Sequence, residues 1–137
     1  MPLAHMNGWA PRMIQFYTRE FFEEIGRRLN ADPEWAKAMK GHDMRVVCSA
    51  SDKKRSFLIA VANGKVSTAE ATTETSADYR FEGRYAAWVD LCKGAAEMDR
   101  LIQQGKIRLA GSMTDVMGLM GPLNRIVMTA RSFPKDF

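Results

Sequence analysis

The most constraining feature of the sequence is a change in the spacing of apolar residues near residue 44. Between residues 11 and 29, apolar side chains recur every three or four positions, which is typical of an amphipathic helix. Between residues 44 and 82, apolar and polar residues alternate instead, which predicts β-strands with one buried face. Asn63-Gly64 separates two of these runs and is a strong hairpin signal. The order of elements therefore indicates an α+β fold.

The alternating runs predict a sheet with one apolar and one wet face. Strands are expected near residues 44–49, 57–62, 65–71, 79–82 and 106–110. The apolar face is expected to collect Val46, Cys48, Phe57, Ile59, Val61, Val66, Tyr79, Phe81, Ile107 and Leu109. The wet face is expected to carry Arg45, Arg80, Glu82, Lys106 and Arg108. Antiparallel pairing permits such a one-sided sheet.

The last predicted strand lies between Gly105 and Gly111 and is followed by a helix. On that helix Met113, Met117 and Met120 recur at i, i+4 and i+7, so they are expected on one side of it. Methionine fills irregular apolar space with adaptable rotamers. The row is therefore interpreted either as ordinary core or as a movable apolar wall. Pro122 is expected to end this helix and begin another.

The sequence predicts a helix closed by Gly94 and a second helix at residues 95–104, followed by a Gly-Lys-apolar-basic-apolar-x-Gly-x-Met run at 105–113. The order of these motifs resembles the sterol carrier protein type two family, a non-specific lipid-binding module. Ser112 stands where the family usually has aspartate, so a hydroxyl is expected to cap the next helix. A looser match extends from about residue 14 to 128.

Membership of that family implies five strands in one mixed sheet, with helices covering one face and an apolar tunnel between the two layers. Periodicity predicts the layers, and the tunnel is implied by the resemblance alone. The residues expected to bind a ligand there are Phe57, Ile59, Tyr79, Phe81, Trp88, Leu101, Met113, Met117 and Met120.

The chain length of 137 residues suits one domain. We expect a disordered lead at residues 1–10, a single sterol-carrier-like domain at 11–131 and a polar tail at 132–137. No apolar run is long enough for a transmembrane helix, and residues 1–11 lack the pattern of a signal peptide. A cytoplasmic location is the resulting expectation.

Residue types that carry chemistry are sparse in this sequence. Cys48 and Cys92 fall on apolar stripes without metal-ligand spacing, and His42-Asp43 is a weak candidate for a catalytic pair. We therefore predict no catalytic residues, no metal and no cofactor. The net charge of +4 is mild and unclustered, which argues against nucleic-acid binding and leaves a weak contact with anionic membranes open.

A carrier of long-chain lipid is the function that this pattern favours. Burying about sixteen methylenes contributes roughly 13 kcal/mol at about 0.8 kcal/mol each, which offsets an association cost of about 4–15 kcal/mol. The alternative is a protein interaction or oligomerisation domain, such as a homodimer, in which side chains fill the same apolar space. The sequence leaves the choice among sterol, fatty acid, acyl-coenzyme A and phospholipid open.

Overall fold

The structure is a computed structural model that describes residues 13–137, except for the side chain of Met113. The predicted lead at residues 1–10 lies outside this range. The helices in this range are α1 (Arg19–Asn30), α2 (Pro33–Ala38), α3 (Tyr85–Lys93), α4 (Met98–Gln103), α5 (Met113–Met117) and α6 (Met120–Arg131). The strands are β1 (Ile14–Gln15), β2 (Met44–Ala50), β3 (Arg55–Ala62), β4 (Lys65–Glu70), β5 (Tyr79–Gly83), β6 (Ile107–Ala110) and β7 (Lys135–Asp136).

Within the described residues, five strands form one sheet in the order β4-β3-β2-β5-β6. The pair β2–β5 is parallel and the other neighbours are antiparallel, so the sheet is mixed. Asn63 and Gly64 have φ angles of 49° and 80°, as a two-residue hairpin with the twist of its strands requires. The predicted α+β class and mixed five-stranded sheet are confirmed.

Helices cover one face of this sheet. Helix α1 contacts β3 and β4 on one side and α6 on the other, and α3 also contacts α6. The Asn30 amide at the end of α1 exchanges two hydrogen bonds of 2.8 Å with the backbone of Val66. Trp35 of α2 is buried, and its indole N–H donates to the Gly64 carbonyl at 2.9 Å. These bonds attach the helical layer to the β3–β4 hairpin.

The opposite face of the sheet is less exposed to solvent than predicted. Val47 and Leu58 pair across β2 and β3 on that face, and Val47 is 0% exposed. Arg80 lies beside Val47 in the register, and its guanidinium donates to the carbonyls of Thr72 and Thr73 at 3.3 Å each. A long basic side chain covers apolar neighbours with its methylene stem while its head binds the 71–78 loop. Arg80 therefore helps to cover the apolar residues on this face of the sheet.

The two ends of the described chain meet. Ile14–Gln15 pairs in parallel with Lys135–Asp136, and Phe133 is buried in the core. The helix predicted from residue 11 begins only at Arg19, because Thr18 caps α1 and Tyr17 has a φ of 59°, which ends the preceding extended segment. The prediction of a polar tail at 132–137 did not anticipate this packing.

The C-terminal helices divide at a different place from the one predicted. Helix α5 begins after Ser112, whose hydroxyl accepts from the Asp115 N–H at 3.3 Å, and it ends at Gly118. Helix α6 begins at Met120, so Pro122 is its third residue. A proline is tolerated there because first-turn N–H groups have no intrahelical acceptor. The break therefore precedes the Gly121-Pro122 pair.

Candidate functional site

An apolar cavity of about 70 Å³ lies between the sheet and helices α1, α3 and α6. Its floor is formed by sheet residues, and its walls by the three helices, the segment before α1 and the first residue of α4. The lining residues are Phe16, Tyr17, Phe21, Phe22, Ile25, Val46, Cys48, Ile59, Phe81, Trp88, Leu91, Cys92, Met98, Leu123, Ile126, Val127 and Ala130. None of these side chains is charged.

Aromatic rings form the end of the cavity next to α1. Phe22 stacks on Phe57 with ring centroids 4.5 Å apart. The Tyr17 ring contacts Phe22 edge-on at 5.2 Å and lies 5.6 Å from Trp88. The Trp88 indole N–H donates to the Ser49 carbonyl at 2.9 Å, so its polar atom is already bonded and its ring offers an apolar surface.

Tyr17 differs from the other lining residues because it carries a buried polar atom that no described residue binds. Among the described residues, its hydroxyl is the buried side-chain N or O atom that makes no hydrogen bond. Burial, reinforced by Cys48, raises the pKa of Tyr17 well above its ordinary value, so the hydroxyl stays neutral. Burial likewise raises the pKa of the Cys48 thiol to about 12, which makes that thiol unreactive.

The far end of α6 is bonded to α3. Arg131 donates from Nε to the Leu91 carbonyl at 2.9 Å and forms an ion pair with Glu97 at 2.9 Å. The Cys92 thiol lies 3.6 Å from the Ala130 carbonyl. These contacts hold the C-terminal turn of α6, whereas no side chain caps its first turn.

Comparisons with known proteins identify the fold and the family. Residues 22–124 match the SCP-2 sterol transfer family. This chain belongs to the SCP-2 sterol transfer family. The match spans the sheet, the cavity floor and most of the helical walls, so the predicted resemblance is confirmed. The comparison with curated proteins gave no match.

Solved structures show the same fold. The conserved protein TT1886 from Thermus thermophilus has a TM-score of 0.72 at 16% identity, with 92% of this chain and 94% of that chain covered. A crystal structure of sterol carrier protein 2 has a TM-score of 0.71 at 16% identity, with 86% and 98% covered.

An enzyme also contains this fold. The stereoselective inverting sec-alkylsulfatase Pisa1 from Pseudomonas sp. has a TM-score of 0.61 at 21% identity and covers 87% of this chain. This chain covers 17% of that enzyme, so the likeness concerns one part of a larger protein and shows no enzyme activity here.

Three of the predicted ligand-binding residues line the cavity of this SCP-2 family member: Ile59, Phe81 and Trp88. Phe57, Tyr79 and Leu101 are buried in the adjoining core instead. Tyr79 packs against Gly111, where an added Cβ would lie 2.9 Å from Cδ1 of the ring. Gly111 therefore leaves room for Tyr79, which fills the core beside β6.

The methionine row is not arranged as predicted. Met117 is 65% exposed and Met120 is half-buried, while the side chain of Met113 is not among the parts of the chain that the structure describes. Val116 is the buried residue of α5. The i, i+4, i+7 spacing places three side chains on one side only in a continuous helix, and the break at Gly118 changes which side faces inward. A ligand-binding role for these methionines stays a prediction.

Two wall segments were missing from the predicted site. The first is Phe16 to Ile25 around the start of α1, and the second is the stripe Leu123, Ile126, Val127 and Ala130 on α6. Both stripes were recognisable as apolar faces by their helical spacing. What the spacing did not indicate was that these two faces meet across a cavity.

His42 and Asp43, the residues considered for catalysis, bond to the β3–β4 turn through the His42 backbone and the Asp43 carboxylate. The Asp43 carboxylate accepts from the Asn63 N–H at 2.8 Å, and the His42 carbonyl accepts from the Gly64 N–H at 3.2 Å. Both residues thus support the β3–β4 turn. Within residues 13–137, no group of three His, Cys, Asp or Glu side chains is placed to hold a metal, and no helix has the length and apolar character to cross a membrane.

Proposed function

We propose that this chain is a non-catalytic lipid-binding carrier domain that holds a sterol, a fatty acid or an acyl-coenzyme A-type ligand between sheet and helices. The observation that carries the proposal is the cavity itself, whose side chains recognise a ligand by apolar contact. Membership of the SCP-2 sterol transfer family supports the same function. Apolar walls with few polar groups are typical of sites for apolar ligands.

The cavity must widen to accept such a ligand. Its volume is about 70 Å³, whereas sites for drug-sized molecules measure about 300–1,000 Å³. The first half of α6 is the more weakly held wall, because it has no side-chain cap, carries Gly121-Pro122 in its first turn and is joined to the start of α2 by one part-exposed ion pair, Arg125–Asp32 at 3.2 Å. We therefore place the widening, and the tunnel implied by the family, between α1 and the first half of α6.

A second candidate function is a protein interaction or oligomerisation domain, such as a homodimer. The small cavity favours it, because side chains already fill most of the layer. The exposed apolar residues Met117 and Met128, at 65% and 59% exposure, offer contacts for a partner. Native mass spectrometry separates the two functions, since co-purified lipid supports the carrier and a ligand-free dimer supports the alternative.

A weak contact with anionic membranes in the cytoplasm belongs to the same proposal. Lys53, Lys93 and Lys135 each lie over an aromatic ring near the paired chain ends, at 4.8–5.2 Å from the ring centroids. Of these rings, Phe137 is exposed, and basic groups clustered at such a surface favour anionic headgroups. Sedimentation with phosphatidylserine vesicles, weakened by salt, is the expected result.

The carrier proposal is tested by titrating the protein with a fluorescent long-chain fatty acid. We expect saturable one-site binding with micromolar or tighter affinity. Ala130→Leu adds bulk inside the cavity and should weaken binding at least about fivefold, since one or two displaced methylenes each cost about 0.8 kcal/mol.

Met128→Leu is the matched control, because Met128 lies on the same helix with its side chain outside. That variant should bind like the wild type. Equal affinity of all three proteins would place the probe outside the cavity, and no binding up to the solubility limit would refute the carrier function.

A further inference from the structure

The strongest unexplained feature of the molecule is the Tyr17 hydroxyl. Tyr17 is 1% exposed, and its hydroxyl is a buried polar atom without a partner among the described residues. The other ring donor in the wall, the Trp88 indole, has its acceptor at 2.9 Å. Buried polar groups are nearly always hydrogen-bonded, and Tyr17 lines the cavity, so the bond that its hydroxyl lacks is available to a molecule that occupies the widened cavity.

The backbone at Tyr17 is held in a conformation that tyrosine rarely adopts. Its φ is 59°, in the left-handed region, where a bulky side chain is strained. Neighbouring contacts hold it there: Phe16 N–H donates to Asp136 O at 2.8 Å, and Thr18 Oγ1 donates to Gln15 O at 2.7 Å. Strain of this kind persists where the surroundings require a residue in one position, and functional sites are where it concentrates.

The surroundings of the hydroxyl select the chemistry of its partner. No described charged side chain lines the cavity, so an ionised carboxylate there would lose its hydration without compensation. A neutral oxygen loses far less. The raised pKa of Tyr17 keeps the hydroxyl protonated, and it remains a hydrogen-bond donor throughout the physiological pH range.

From this arrangement we propose that the Tyr17 hydroxyl donates a hydrogen bond to a neutral oxygen on the bound molecule. The site then prefers a lipid whose inserted end carries a carbonyl or hydroxyl oxygen, such as a ketone, an ester or a sterol alcohol. A fatty acid is bound with its chain inside and its carboxylate outside. This inference rests on the proposed carrier function and adds a polar selectivity to it.

The test compares hexadecan-2-one with hexadecane, both delivered from cyclodextrin, as competitors of a fluorescent lipid probe. Wild-type protein should prefer the ketone by roughly two- to tenfold, the usual net contribution of one hydrogen bond. Tyr17→Phe should lose this preference while still binding hexadecane, which shows that the cavity is intact. The carbonyl stretch of the bound ketone should move to higher frequency in the variant.

Tyr85→Phe is the matched control, because the Tyr85 hydroxyl donates to the Phe137 carbonyl at 3.3 Å and lies outside the cavity lining. It should keep the wild-type preference. Hexadecanoate serves as a third competitor. A ketone preference that survives Tyr17→Phe would overturn the inference, and so would a larger loss of affinity in that variant for hexadecanoate than for the ketone. Failure of wild-type protein to bind any of the three probes would instead overturn the carrier function.

Discussion

Helices α1 and α6 have the same length and line the same cavity, yet they are held very differently. Five of the twelve residues of α1 are buried, against three of the twelve of α6. The first turn of α1 is capped by Thr18, whose hydroxyl accepts from the Phe21 N–H at 3.3 Å. The first turn of α6 has no side-chain cap and contains Gly121-Pro122.

The contacts at the helix ends strengthen this contrast. The end of α1 is fixed to β4 by both hydrogen bonds of Asn30. The end of α6 is fixed to α3 by Arg131, but its beginning follows α5, whose Met117 is exposed. One wall of the cavity is thus part of the stable core. The opposite wall is held at its C-terminal end by Arg131 and at mid-helix by the Arg125–Asp32 ion pair, and its first turn has no side-chain cap. A binding layer can open on that side without disrupting the sheet.

The largest expected effect comes from truncating matched isoleucines in the two walls. Ile25 of α1 is 2% exposed and Ile126 of α6 is 8% exposed, and both line the cavity. Ile25→Ala should lower the free energy of unfolding by about 4 kcal/mol and Ile126→Ala by about 2 kcal/mol. The loss is smaller for Ile126 because α6, the yielding wall, relaxes into the space that the removed side chain leaves. Urea denaturation measures both, and equal losses would show that the walls do not differ.

An alkaline titration tests the sheet side of the cavity. Above about pH 8.5 the unfolded chain loses the Cys48 proton, whereas the folded protein keeps it until a pKa of about 12. The unfolded state then binds fewer protons, so the free energy of unfolding should fall as pH rises, by about 1.4 kcal/mol per pH unit from this thiol. The contribution of the Cys48 thiol to the free energy of unfolding should be fully retained below about pH 8.5.

Cys48→Ala should remove that slope. Burial also raises the pKa of Cys92, but Lys135 and Arg131 oppose the increase, so Cys92→Ala should remove less. The same alkaline slope in wild type and Cys48→Ala would mean that Cys48 is not buried as described.

Tyr17→Phe tests the wall on the α1 side of the cavity with a smaller change. Removing an unsatisfied buried hydroxyl should raise the free energy of unfolding of the ligand-free protein by about 1–2 kcal/mol. Tyr85→Phe should not stabilise, because its hydroxyl already donates to a carbonyl. Chemical denaturation of delipidated protein checks this, and a destabilised Tyr17→Phe would show that the hydroxyl has a partner in the folded chain.

The smallest expected effect lies in the yielding wall. Gly118 has helical backbone angles, and an added Cβ at Gly121 meets nothing within 4 Å. Each glycine to alanine change should stabilise by about 0.5–1 kcal/mol. Amide hydrogen exchange at residues 114–121 should become slower in both variants, and lipid should slow it in the wild type. Exchange as slow as in the strands, with and without lipid, would contradict a yielding wall.

The sequence was most informative where local rules decide the structure. Alternation predicted β2, β3 and β5, and Asn63-Gly64 predicted the hairpin between β3 and β4, because a period of two and a positive φ leave few alternatives. The start of α2 at Asp32-Pro33 follows an equally local rule, with the Asp32 carboxylate accepting from the Glu34 N–H at 2.9 Å. Such features depend on neighbouring residues alone.

Predictions failed where distant segments decide the structure. The pairing of Ile14–Gln15 with Lys135–Asp136 joins opposite ends of the described chain and keeps residues 14–15 extended, so α1 begins only after the turn at Tyr17 and the Thr18 cap. The face of Met117 depends on a helix break that spacing alone does not locate. The unpartnered hydroxyl of Tyr17 depends on every residue packed around it.

The most direct test of the account is to map where a bound lipid lies. A long-chain lipid with a photoreactive diazirine in its chain should label residues of the two walls, such as Phe22, Leu123 and Ile126, when the adducts are located by mass spectrometry. Excess unlabelled lipid should abolish the labelling. Adducts confined to exposed residues such as Met117 and Met128 would contradict a binding site between sheet and helices.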